Sequence, residues 1–236
     1  MPNLLKLKMF ICKLFTCWIL HPRYRKLAWS FLYWFSYSDY VRFKKINYNV
    51  VSLGSSCLTR ALAVATGIKP RRFYGEKSCP FDLYFSTDLK QTISFIDNDF
   101  EGFFENVNIN KFPHDEKFNF LNFKKRYQKR IQNFLDIQNS EKKLYYIYSN
   151  YTTDVDSKDI TRLYEVLKNK RQGKPFELIL LTRKHLEVPN IIQIPYDFVA
   201  DDGRSIEFII DKYKIFNNKY TKFRDYMEVE LKKVIN

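Results

Sequence analysis

Two hydrophobic periods alternate along the chain. Asn49-Val50-Val51-Ser52-Leu53 is a short β-branched run closed by Gly54-Ser55-Ser56, after which Leu58, Ala61, Leu62 and Ala65 repeat at helical spacing up to Gly67, a residue suited to end a helix. That is strand, turn, helix. Lys143 to Tyr148 reads as a second strand, followed by a helix capped by Ser157 with Ile160, Leu163, Tyr164 and Leu167 on its apolar face and Gly173 and Pro175 at its end. Phe176 to Leu181 and Asn190 to Ile194 follow as two more strands, the former almost continuously apolar, as strands buried on both faces are. Helical stretches fill the interval between the first two strands. One carries Phe123, Tyr127, Ile131 and Phe134 on one side and Lys124, Lys125, Arg126, Lys129 and Arg130 on the other. Tyr220 to Val234 reads as a surface helix. The alternation predicts an α/β fold with a mostly parallel central sheet and flanking helices.

The first forty residues have a different pattern. Leu7, Phe10, Ile11, Leu14, Phe15 and Trp18 recur at helical spacing beside Lys6, Lys8 and Lys13. The most apolar run, Met9 to Leu20, is interrupted by Lys13 and falls short of the roughly 20 residues a bilayer-spanning helix needs. Secretion is disfavoured, because bulky and charged residues occupy Cys17 to Arg23 where a signal would place small ones. Pro22 should stop this helix, and Leu27, Phe31, Tyr33, Trp34 and Tyr37 then form an aromatic segment headed by Arg23, Arg25 and Lys26. The chain thus divides into a basic amphipathic helical appendage, residues 1–46, and an α/β domain, residues 47–236.

Charge sharpens that division. Of a net +14, about +8 lies in the first 45 residues, where nine lysines and arginines stand against Asp39. Aromatic residues beside cations suit an anionic membrane surface, which is the expected partner of residues 1–45. Packing on the domain with the lysines solvated is the plainer use of the same residues. Nucleic acid is disfavoured, since no RNP-like strand, zinc finger or helix-turn-helix pattern accompanies the charge. A hydrophobic content of 45% supports a packed core, and the few Gly and Pro argue against long linkers.

Cys12, Cys17, Cys57 and Cys79 show no metal-binding spacing and no disulfide framework, and His21, His114 and His185 are scattered. No metal and no cofactor is expected, and free thiols fit a cytoplasmic protein, peripheral on the inner face of the membrane.

The candidate site follows from the first strand. In an open parallel sheet, ligands gather beyond the carboxyl ends of strands, and Cys57 lies at such a turn. A helix N-terminus there should lower the thiol pKa, and its N–H groups could hold an oxyanion. Gly54 would permit the tight turn, while Ser55 and Ser56 could cap the helix and contact a ligand. A small buried cysteine at a helix start is the plainer reading of Cys57. A nucleophile needs a base, and His114, in a loop beside Asp115, is the best placed of the histidines.

Five blocks in order resemble a known family, the bacterial papain-like cysteine peptidases, a domain of unknown function often found near surface-polysaccharide enzymes. They are Ser52 to Cys57 with Ala61, Pro80-Phe81-Asp82, Asn98-Asp99-Phe100, Phe112 to Asp115, and Arg126-Tyr127 with Arg130, within residues 48–185. The resemblance implies Cys57 as nucleophile and His114 as base. It leaves the third polar role open among Asp82, ranked first, Asn150 and Asp115. A papain fold pairs a helical part with an antiparallel barrel, whereas this chain alternates strands and helices. Cys57 at a strand-turn-helix junction is also similar to the nucleophile position of SGNH-type esterases, with serine replaced. The expectation is a cysteine-dependent hydrolase or acyltransferase acting on a glycan, peptide or acyl-bearing substrate. The alternative is a non-catalytic module in which the Gly54 to Cys57 turn, Asn150, Arg126 and Arg130 bind a phosphate or sugar.

Overall fold

The apolar runs form one sheet. Strands β1 (Tyr48–Ser52), β2 (Lys143–Ser149), β3 (Phe176–Thr182) and β4 (Ile192–Pro195) lie side by side in chain order, each neighbouring pair parallel. The fold is therefore α/β, and the expected mostly parallel sheet is parallel throughout these strands. The computed structural model describes residues 10–11, 14–21, 24–25, 28, 37–71, 74–85, 88–112, 115, 119–149, 155–197 and 219–235.

Because side chains alternate across a strand, the sheet has two apolar faces, and each needs a helical cover. Val51, Leu144, Tyr146, Tyr148, Leu178 and Leu180 share a core with α3 (Leu89–Asp97), α4 (Phe103–Asn106), α5 (Phe120–Gln138) and α6 (Ser157–Arg171). Val50, Tyr145, Ile147, Ile179, Leu181 and Ile194 pack on α2 (Cys57–Ala65) and α7 (Lys219–Ile235). The first core is dominated by rings: Phe81, Phe100, Phe103, Phe112, Phe123, Tyr127 and Phe134 interlock, with centroids as close as 4.4 Å between Phe123 and Tyr127.

Two boundaries and the burial of one helix differ from the sequence reading for identifiable reasons. Asp156 rather than Ser157 caps α6, its carboxylate accepting from the Lys158 N–H at 2.9 Å, where a negative charge also suits the helix dipole. The fourth strand begins at Ile192 because Asn190 adopts a left-handed turn conformation, φ 61°. The C-terminal helix is no mere surface helix. Its Phe223, Met227, Leu231 and Ile235 recur every four residues and are all buried over the second face, each worth about 1.5–3 kcal/mol.

The N-terminal segment contributes helical residues 10, 11 and 14–16, and then α1 (Tyr37–Lys45). Arg42 Nη2 donates to the Gly67 carbonyl at 3.0 Å and Phe43 stacks on Tyr74, so α1 is docked on the domain. No helix of the described residues is long and apolar enough to cross a membrane.

One buried cation holds the amino-terminal edge of the sheet. Arg171, 1% exposed at the end of α6, donates Nη1 to the carbonyls of Gln138 and Ser140, and Nη2 to those of Lys142 and Pro175 at 3.0 Å each. These carbonyls belong to the end of α5 and the approaches to β2 and β3. Burial lowers its pKa, yet guanidinium keeps its proton across the physiological range. Arg171→Met should cost about 3 kcal/mol or more in urea unfolding, because several carbonyls lose a buried donor together. A loss under about 1 kcal/mol would show that water replaces it.

Candidate active site

The turn after β1 stays attached to the sheet. Leu53 and Ser55 donate their N–H groups to Ile147 and Ser149 at 2.8 and 2.9 Å, so the backbone continues along β2 past the last strand residue. Ser56 is the N-cap of α2, extended at φ −156°, with Oγ accepting from the Leu58 N–H at 3.2 Å. Cys57 is the first helical residue. Of the turn donors, those of Ser55 and Leu58 are committed, while the Gly54 and Ser56 N–H groups have no protein partner among the described residues.

Gly54 is required for a different reason from the one expected. Its φ is not in the left-handed region; instead, a Cβ there would lie 1.8 Å from Thr59 Oγ1. The first turn of α2 sits directly against the loop. Gly67, by contrast, does end α2 as predicted, at φ 75°, with Gly67 and Ile68 donating to Val64 and Ala63 in a Schellman arrangement.

The electrostatics of Cys57 also depart from expectation. The thiol is half-buried, and burial pushes its pKa above the ordinary value despite the pull of its own N–H and of Arg60. At the start of this helix desolvation outweighs the dipole, so Cys57 rests as a thiol rather than a thiolate.

Asp82 lies behind the same helix in a buried ion network. Arg60, one turn on from Cys57, donates Nε and Nη2 to the two Glu76 oxygens at 2.7 and 2.6 Å. Lys69 Nζ reaches Asp82 Oδ1 at 2.8 Å, and the Cys79 N–H donates to Asp82 Oδ2 at 2.7 Å, capping the 3₁₀ turn Pro80–Leu83. Lys69 and Asp82 are at most 2% exposed. Burial opposes the charge of Lys69, but Asp82 and Glu76 outweigh it and its pKa is raised.

Asp115 is likewise fully buried and occupied. Oδ2 accepts from the Tyr127 hydroxyl at 2.8 Å and lies 3.5 Å from Arg130 Nη1, while Arg126 Nη1 is 2.9 Å from Oδ1 as an ion pair without hydrogen-bond alignment. The two aspartates expected as third members of a triad are thus both held by cations and hydroxyl or amide donors, as fixtures of the local fold. His114 and Asn150 lie outside the described residues.

Four of the five sequence blocks join in two pairs through contacts that cross the chain, and Arg60 of α2, which lies outside the blocks, reaches one of them. Arg60 is 3.8 Å from Asp82; the Phe81 ring meets Phe100 at 5.6 Å; Phe112 meets Tyr127 at 4.7 Å; Asp115 pairs with Arg126 and Arg130. Phe100 adopts φ 65°, unusual for an aromatic residue, which turns its ring onto Phe81 and Phe134. Between α2 and α5 the blocks border an open cleft of about 920 Å³ lined by Arg60, Glu76, Ser78, Asp82, Asn122, Lys125, Arg126, Lys129, Arg130 and Asn133.

Three hydroxyls escaped the sequence reading. Ser52, Thr59 and Ser149 are buried with no hydrogen-bond partner for Oγ or Oγ1. By strand alternation Ser52 and Ser149 face the same side as Val50 and Ile147, the side covered by α2, while Thr59 Oγ1 sits in the first turns of α2 against Gly54. The available signal was two apolar strands each ending in serine.

Compared with family models, curated proteins and solved structures, the chain matches none. The family resemblance rests on the sequence blocks. Among the described residues no group of His, Cys, Asp or Glu could hold a metal ion.

The network fixes a pH response. Burial and the nearby Asp82 push the Cys79 thiol up to about 12. An unfolded thiol ionises near 8.5, so from about pH 9 the unfolded chain sheds a proton that the folded chain keeps, and stability falls as pH rises toward 12. Lys69 acts in the same direction, its contribution complete below about pH 10.4 and lost as pH passes its raised folded value. Urea midpoints between pH 8 and 11 should decline, and Cys79→Ala should flatten the decline by up to about 1.4 kcal/mol per pH unit. An unchanged slope in Cys79→Ala would refute the assignment.

Proposed function

We propose that this chain is a cysteine-dependent hydrolase or acyltransferase acting on a glycan-linked acyl or peptide carbonyl in surface-polysaccharide assembly. The observation that carries the reading is the position of Cys57, first residue of α2, at the carboxyl edge of a parallel sheet and one helical turn before Arg60, which lines the cleft bordered by the sequence blocks.

A thiol whose pKa is raised by burial needs a base at the moment of attack, and His114 takes that role. Cys57 Sγ attacks the carbonyl carbon as its proton passes to His114. The N–H groups of Gly54 and Ser56 stabilise the oxyanion. The C–O or C–N bond then breaks, His114 returns the proton to the leaving group, and a thioester remains on Cys57. Water or an acceptor hydroxyl attacks the thioester, its proton passing to His114 and then to the departing sulfur.

Rates of iodoacetamide labelling at pH 7.5, read residue by residue, test this. Cys57 should react faster than buried Cys79, and His114→Ala should slow Cys57 about tenfold or more, within the range a positioned base contributes. Equal rates at Cys57 and Cys79 with no effect of His114→Ala would end the nucleophile reading.

The N-terminal segment supports attachment of the enzyme to an anionic membrane surface. Phe10, Leu14, Phe15, Trp18 and Leu20 are each at least 57% exposed, so these apolar side chains are not spent on the domain core. Beside the lysines and arginines of residues 1–45 they form an interfacial face, which would hold the protein on the inner side of the membrane. In co-sedimentation with vesicles containing phosphatidylserine, Phe15→Glu/Trp18→Glu should lower the bound fraction about tenfold while the domain stays folded by circular dichroism. Unchanged sedimentation would remove the membrane from the account.

A further inference from the structure

We infer that the cleft between α2 and α5 is a phosphoryl-binding site, taking a phosphate or diphosphate group through Arg60, Lys125, Lys129 and Arg130. This goes beyond the reaction proposed at Cys57, because binding there needs no reactive thiol.

The cations are arranged in two ways. Arg60 and Arg130 are fixed guanidinia. Glu76 holds two nitrogens of Arg60, and Arg130 Nη1 is held by the Tyr127 hydroxyl at 2.6 Å and by Asp115 at 3.5 Å. Each nevertheless keeps donors for a ligand. Arg60 Nη1 has no protein partner among the described residues. Nε and Nη2 of Arg130 are also without one, and they are not among the nitrogens sealed from solvent, so they open on the cleft that Arg130 lines. Guanidinia held from behind present their remaining N–H groups in a set geometry, which suits the planar, paired oxygens of a phosphoryl group.

Lys125 and Lys129 supply charge that nothing offsets. They are successive turns of one helix face, with Leu121, Asn122, Arg126, Gln128, Gln132 and Asn133 as their other neighbours at helical spacing, and no carboxylate among the described residues pairs with either. Like charges four apart repel. A merely solvated face intersperses acids with its lysines, whereas here every acid at the cleft is already engaged with a guanidinium or with Lys69 behind it. Six cations (Arg60, Lys69, Lys125, Arg126, Lys129, Arg130) stand against Glu76, Asp82 and Asp115, an excess of three, more than enough to offset the two or so negative charges of a phosphate ester at neutral pH. The volume is that of a site for a phosphorylated sugar or similar small molecule.

The test uses the full chain, titrated calorimetrically with inorganic pyrophosphate and with a sugar 1-phosphate at low ionic strength. Saturable binding is expected, weakened about tenfold or more in Lys125→Gln/Lys129→Gln and left unchanged in a charge-matched control, Lys168→Gln/Lys233→Gln, on other helices. Cys57→Ala should bind like the parent, so failure of the reaction and failure of the site are read separately. Absence of saturation, or equal weakening in both double variants, overturns the proposal. A phosphoryl group could also come from a lipid, and vesicles containing phosphatidic acid form the second arm. Sedimentation unaffected by Lys125→Gln/Lys129→Gln supports a soluble phosphate, whereas loss of vesicle binding without pyrophosphate binding overturns it.

Discussion

The structure around Cys57 depends on a buried ionic network. Glu76, Asp82 and Lys69 lie almost wholly out of solvent, and Arg60 joins them from α2. Taking such charges out of water costs several kcal/mol each, and only mutual pairing and hydrogen bonds offset it. The partners come from separate elements: Arg60 from α2, Lys69 from the loop after it, Glu76 from the following stretch and Asp82 from the 3₁₀ turn Pro80–Leu83. The network therefore acts as a register. If α2 rotated or the turn shifted, a charge would be left buried and alone, so the direction in which α2 presents Cys57 is fixed by electrostatics as well as by the packing of Leu58 and Leu62.

A second assembly repeats the design on α5. Asp115, in the shell of aromatic residues, holds Arg130 and Arg126 and accepts from Tyr127, whose ring packs on Phe112 and Phe123. In both cases an acid buried behind a guanidinium restrains it at the wall of one cleft. Restraint lowers the rotamer entropy lost when a ligand is bound. This gives physical content to a pattern visible only as short ordered words in the sequence, since Asp82, Asp115, Arg126 and Arg130 belong to those words and meet around one space.

The parts legible in the sequence were those governed by local periodicity. Val50 and Val51, the apolar run from Leu178 to Leu181 and the Leu58 to Gly67 pattern define strands and a helix from nearest neighbours alone, and the parallel sheet follows from their alternation. The position of Cys57 was legible for the same reason, as a residue after a strand and a glycine turn. What escaped depends on distant partners. The stripe of Phe223, Met227, Leu231 and Ile235 is amphipathic, but the sheet face it covers is built some thirty residues or more earlier in the chain. Asp82 and Asp115 looked like spare carboxylates because Lys69 and Tyr127, which occupy them, lie 13 and 12 residues away in the chain. The reason for Gly54 was equally hidden, since a clash with Thr59 is a matter of packing rather than of turn type.

The same network bears on the reactivity proposed for Cys57. An unpaired guanidinium one helical turn from a thiol would draw its pKa down. Arg60 is instead largely neutralised by Glu76, its attraction for Cys57 ranks below the effect of burial, and the thiol keeps its proton. A thiolate formed only when a base removes that proton is the more nucleophilic for its higher pKa, since sulfur nucleophilicity rises with basicity. It also avoids standing as a permanent anion beside the cleft. A preformed thiolate would engage the cations that line it and compete with an anionic substrate for Arg60. By committing Arg60 to Glu76, the chain lines the cleft with cations while the neighbouring Cys57 stays a neutral thiol.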